Sequence, residues 1–275
     1  MIGRKNKAVM YVLMGIITII TVFPFAWMFL LSLKTNEEIM LAPLAMPQTF
    51  GFYNYENALH ILDYPRLYAN TFLICVLSIV IELSITFSSA FVLARMEFNN
   101  NLRAVIYGFL ILGLSISPFI LLFPVYKINL LLGLQGKAGL IMPYVATSIS
   151  FNTLLLVGYL KGLPKEIDEA AVVDGTSLWQ LLGRIIIPMS KPVIATIVIF
   201  NVLYIWNEYP FASVMLRDVK DYTLSMGASF FKGKYSVDYG GIIASSIMII
   251  IPELIFYGLF QKNIVDGMTA GAVKG

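Results

Sequence analysis

Six stretches of the sequence, at 8–33, 68–94, 104–126, 138–160, 193–216 and 241–260, are each apolar over about the 20 residues a helix needs to cross a bilayer. Lipid offers backbone groups no hydrogen bonds, so each stretch must satisfy its N–H and C=O groups internally, and the expected fold class is an all-α polytopic membrane protein. Composition agrees, because 59% of the residues are hydrophobic and 13% charged. A soluble domain of this length carries about 25% charged residues and needs that polar cover for its wet surface. The first stretch follows Arg4, Lys5 and Lys7 but far exceeds a signal-peptide core, and it reads as an uncleaved first span kinked at Pro24.

The net charge of +3 is spread along the chain and is better read as topology charge than as a nucleic-acid surface. Basic residues near span ends stay in the cytoplasm. With the N-terminus inside, Arg95, Arg103, Lys161, Lys165, Arg184, Lys191, Lys262 and Lys274 fall on the cytoplasmic side. A smaller set that includes Lys34, Arg66, Lys127, Lys137, Arg217, Lys220 and Lys234 falls outside. Both termini are then cytoplasmic, and so is the loop 161–191 after the fourth crossing. The first exterior connection carries Pro43, Pro47 and Pro65 among Phe50, Phe52, Tyr53 and Tyr55, and reads as an ordered cap at the membrane surface. There is no internal repeat or low-complexity linker, so the chain is expected to be one domain over 1–275.

One cysteine, Cys75, and one histidine, His60, cannot assemble a disulfide framework or a Cys/His metal site. The nearest approach to a phosphate-binding loop, Gly227 to Lys234, has the wrong spacing and no Ser or Thr after its lysine. Neither H-E-x-x-H nor G-x-S-x-G occurs, which argues against an enzyme, and no cofactor is expected in this chain.

The loop 161–191 carries the most information. Pro164 followed by Glu166, Asp168 and Glu169 fits a helix N-terminus, where the dipole favours acids. Lys165 precedes Glu169 by four residues, the poorer order for that pair, which leaves Glu169 to seek a partner elsewhere. Ala170 and Ala171 offer small side chains. Asp174-Gly175 suits a left-handed helix end, Ser177 is a candidate cap for a second helix over 178–185, and Pro188 and Pro192 mark the break before the fifth span. Such a hairpin either solvates the interface or receives a partner.

Glu169-Ala170-Ala171, then Gly175, then Ile185-Ile186-Ile187-Pro188 resembles the EAA loop of binding-protein-dependent ABC importer permeases. Pro188 to Thr196, Trp206 to Ala212 and the tail Gly267 to Gly275 are similar to the maltose-type carbohydrate subfamily. Thr176, Leu182 and Gly183 depart from the usual pattern and bear on the choice of partner. The resemblance implies a transport subunit that forms half of a translocation path. Its partners would be a second, similar permease, two ATP-binding subunits that hold the ATP, and an extracytoplasmic sugar-binding protein. Glu169, Ala170, Ala171, Asp174, Gly175 and Pro188 would form the coupling site.

Charge inside a bilayer is costly, so Glu82 and Glu253 mark either a hydrated path or interhelical hydrogen bonds. Asn152 in the fourth span, with Asn201, Trp206, Asn207 and Glu208 in the fifth, are further candidates for a sugar path, although an interfacial belt explains Trp206 comparably. A self-contained secondary transporter or channel, with the two glutamates as proton-linked carboxyls, is the competing reading.

Overall fold

The computed structural model describes residues 4–48, 50–233 and 236–272 and, among them, is helical with no β-strand. The helices are α1 (Arg4–Ser32), α2 (Asn36–Leu41), α3 (Tyr53–Ile61), α4 (Tyr64–Arg95), α5 (Asn100–Ser115), α6 (Pro118–Leu131) and α7 (Gly136–Gly162). They continue with α8 (Glu166–Val173), α9 (Leu178–Gln180), α10 (Ile187–Met189), α11 (Lys191–Asn207), α12 (Pro210–Met215) and α13 (Tyr239–Ala272).

Among the described residues, four helices are long and apolar enough to cross a membrane alone, and two bent pairs bring the number to six if each counts as one span. The third predicted span is such a pair: α5 and α6 meet at 104°. Pro118 is the cause. It lacks the N–H that would continue the α5 ladder and drives Ser117 to extended backbone (φ −64°, ψ 132°), while serving well as the first residue of α6. The fifth span is also shorter than its apolar run, since α11 ends at Asn207 and a separate helix, α12, begins at Pro210. Its approach, Leu178–Met189, joins it at 73°.

The chain divides into two compact units, Met1–Tyr64 with Met226–Pro252, and Pro65–Ser225 with Glu253–Gly275. In the first, α1 buries none of its apolar window within the chain, as suits a helix whose neighbours are lipid or another subunit. The connection between α1 and α4 is ordered by its own hydrogen bonds. Thr35 and Glu38 form a reciprocal capping box on α2, and buried Lys34 donates to the Ala42 carbonyl at 2.7 Å. Asn54 donates to the carbonyls of Ser32 and Lys34, both at 2.7 Å, and a side chain at Gly240 would run into Asn54.

In the second unit, Phe87, Ala90, Phe91 and Leu93 of α4 pack with Leu156, Val157 and Leu160 of α7 and with Val193 and Ile197 of α11. Ala171, Leu181 and Ile186 of the loop between α7 and α11 belong to the same core, so that loop is part of the packed body.

Candidate functional site

The loop folds as the expected hairpin. Helix α8 opens with Glu166, Asp168 and Glu169 in its first turn and closes at Gly175, whose φ is +72°. The Thr176 N–H donates to the Ala171 carbonyl at 2.9 Å and the Gly175 N–H to that of Val172 at 3.0 Å, the paired closure of a helix that stops on a left-handed residue. Ser177 and Gln180 then form a reciprocal cap on α9, with the Ser177 N–H on Gln180 Oε1 at 3.0 Å. The second arm differs from a plain helix over 178–185: residues Leu181–Ile186 form a wide π turn. Pro188, one turn on, has no N–H for the carbonyl of Arg184, and the wider turn absorbs the mismatch.

Three contacts fix the hairpin to the spans. Arg95, at the end of α4 with a side chain 3% exposed, pairs with Asp168 of α8 at 3.3 Å. Tyr159 of α7 donates to the Met189 carbonyl at 2.8 Å. Ala171 is 4% exposed and packs into the core, so of the two small side chains at 170 and 171 only Ala170 faces out; at this helix spacing neighbours lie on different faces. Glu169 and Ala170 are exposed beside Val172 (69%), Val173 (86%), Leu178 (48%) and Trp179 (80%). No local sequence signal marks the Arg95 anchor or this apolar rim, since both depend on how α4 and α8 pack.

The polar residues of the spans fall into two groups. Glu82 of α4 accepts from Asn152 of α7 at 2.9 Å and from Asn201 of α11 at 3.2 Å, and Asn152 also donates to Asn201 Oδ1 at 3.2 Å. All three are buried. Asn152 and Asn201 also line a cavity of about 220 Å³ with Pro118, Thr147, Ser148, Phe151, Phe200 and Tyr204, whereas Glu82 stands behind them. Of the two readings of Glu82, the interhelical one describes its surroundings.

Further along α11, Asn207 donates to Glu253 of α13 at 2.6 Å and lines a second cavity of about 250 Å³ with Pro118, Phe119, Tyr204, Glu208 and Pro210. Glu208 is buried by its own structural duties. It accepts from the Tyr144 hydroxyl at 2.8 Å and from the N–H groups of Phe211 (2.7 Å) and Ala212 (3.1 Å), capping α12. Trp206 packs on Tyr68 with ring centroids 5.9 Å apart. The two cavities share Pro118 and Tyr204, so the break between α5 and α6 borders both. Among the described residues, no group of three or more His, Cys, Asp and Glu could hold a metal ion. The side chains of the tail Gly267 to Gly275, like Lys234, lie outside the described residues.

Known proteins are similar to this chain. The trehalose/maltose transport system permease protein MalG of Thermococcus litoralis is 32% identical over 94% of this chain and 94% of its own. The multiple sugar-binding transport system permease protein MsmG of Streptococcus mutans is 33% identical over 96% of each. A crystal structure of a bacterial ABC transporter involved in import of the acidic polysaccharide alginate has the same fold, with TM-score 0.80 at 23% identity, over 95% of this chain and 98% of that one. Residues 85–269, which include both arms of the hairpin and both cavities, match a single family model. The chain therefore belongs to the family of binding-protein-dependent transport system inner membrane components.

Proposed function

We propose that this chain is a permease subunit of an ATP-driven carbohydrate importer in a bacterial-type cytoplasmic membrane, with both termini inside. It forms half of the translocation path, beside a second permease, and works with two ATP-binding subunits and an extracytoplasmic sugar-binding protein. The observation that carries this reading is the hairpin at α8 and α9. It is locked to α4 and α7 by Arg95–Asp168 and Tyr159–Met189, yet leaves Glu169, Ala170, Val173 and Trp179 facing out. A segment so held passes a push from an attached subunit into the spans, because packed cores shift as bodies and do not deform smoothly. Glu169 supplies the charge for a basic partner, Ala170 and the apolar rim supply contact area, and Asp174, Gly175 and Pro188 set the hairpin's shape. The chain adds no catalytic group, and ATP is bound by the partner.

For the path, the cavities beside Pro118 combine aromatic faces with amides. Phe151, Phe200 and Tyr204 offer flat apolar surface for sugar rings, while Asn152, Asn201 and Asn207 offer hydrogen bonds to hydroxyls. Glu82 and Glu253 orient those amides, Trp206 packs on Tyr68, and Glu208 holds the backbone N–H groups of Phe211 and Ala212. The test is uptake of labelled oligosaccharide by vesicles holding the assembled transporter. Glu169→Lys is expected to abolish ATP-driven uptake with the chain still folded in the membrane, and an uncoupler is expected to leave wild-type uptake intact. ATP-driven uptake by Glu169→Lys would refute the coupling, and loss of uptake to the uncoupler with ATP unchanged would instead favour a proton-linked carrier.

A further inference from the structure

The turn between α4 and α5 holds a cavity of about 360 Å³ lined by Ala94, Arg95, Met96, Glu97, Phe98, Asn100, Arg103 and Lys165. Three of these are cations and only Glu97 is an anion. Arg95 spends one nitrogen, Nη1, on Asp168, while its Nε and Nη2 are buried without a hydrogen-bond partner, as is Nε of Arg103. Arg103 is held in place, donating from Nη2 to the Met96 carbonyl at 2.7 Å with its guanidinium 4.7 Å above the Phe98 ring. Guanidinium groups placed in this way call for an acceptor of negative charge, because an unmet buried donor costs more than a met one returns.

A second feature identifies the source of that charge. Leu102, Val105, Phe109 and Leu112, at the helical spacing of three, four and three, are 54%, 54%, 71% and 61% exposed and form an apolar stripe running along α5 from the cavity's edge. Met96 at the rim is 41% exposed. A headgroup phosphate in the cavity would leave acyl chains to lie along this stripe, which a free anion could not use. The geometry points to a binding site for one anionic phospholipid, its phosphate held by Arg95, Arg103 and Lys165. The site goes beyond the importer reading, which assigns only its leaflet, the cytoplasmic one. Because Arg95 also carries Asp168, lipid occupancy bears directly on how firmly α8 is held.

The test uses the assembled transporter in phosphatidylcholine vesicles containing a photoreactive phosphatidylglycerol, with crosslinks mapped by mass spectrometry to the peptide carrying Leu102 and Val105. Wild type is expected to crosslink there, with competition by unlabelled phosphatidylglycerol and none by inorganic phosphate. Arg103→Gln and the exposed Lys165→Gln are each expected to lower the yield roughly five-fold, and Arg103→Lys is expected to retain most of it. Equal yield in wild type and both Gln variants would overturn the site. Displacement by inorganic phosphate would assign the cavity to a soluble anion. Loss of an ATP-binding subunit from the Gln variants with unchanged crosslinking would assign it to an acidic segment of that partner.

Discussion

Asp168→Asn isolates the tie between the hairpin and α4. The change keeps the side chain's size but removes the charge opposite Arg95, whose side chain is 3% exposed and whose other two nitrogens already lack partners. Breaking a fully buried pair by removing one partner costs about 3–5 kcal/mol. Here Asp168 is 22% exposed and the contact is single at 3.3 Å, which lowers the figure to about 2 kcal/mol. That corresponds to a roughly 30-fold rise in the population with α8 detached. Hydrogen exchange of residues 166–173 in the purified complex reads this population directly, and the amides are expected to exchange about 30-fold faster. The double change Arg95→Met with Asp168→Leu removes both charges and places apolar volume in the gap, and is expected to return most of the protection. Unchanged exchange in Asp168→Asn, or equal losses in the single and double variants, would refute the anchoring argument.

Gly175→Ala meets no atom within 4 Å but must hold φ +72°, so it is expected to destabilise the hairpin by about 1–2 kcal/mol, and Gly175→Asn by less; exchange at Val172 and Val173 measures both. Glu82→Leu strips acceptors from two buried amides and is expected to cost about 2 kcal/mol, with Glu82→Gln intermediate, read as loss of thermal stability of the purified complex. Outside the spans, the N–H of Thr35, and then that of Gln48, hold the Glu38 carboxyl below the usual carboxylate range. Its stabilising contribution is present above the unfolded titration range and lost as pH falls through the lowered folded value. Protection of α2 is therefore expected to drop on acidification below about pH 4 and to be level from neutral upward, and Glu38→Gln is expected to remove that dependence.

What could be read in advance was local. Six apolar runs place the spans because lipid dictates their length, and the hairpin's ends are written in Gly175 and Ser177, whose effects reach only a few residues. The bend at Pro118 lay hidden inside an unbroken apolar run, since hydropathy does not register a missing N–H. Ala171 looks as small and outward as Ala170, and only the packing of α4, α7 and α11 shows which of the two faces the core. The roles of Glu82 and Glu208 depend on partners 70 and 64 residues away, Asn152 and Tyr144, and no spacing rule pairs residues at that distance. The charge on Asp168 suited a helix N-terminus equally well whether or not Arg95 stood opposite, so the sequence left its partner undetermined.

The most direct measurement of coupling is the accessibility of a cysteine at Ala170, with the buried Cys75 changed to Ala. In inside-out vesicles lacking the ATP-binding subunits, a membrane-impermeant maleimide is expected to modify it rapidly, and adding those subunits is expected to protect it. Modification from the external face of intact cells, or a rate indifferent to the ATP-binding subunits, would contradict the assignment of this hairpin as the point where they attach.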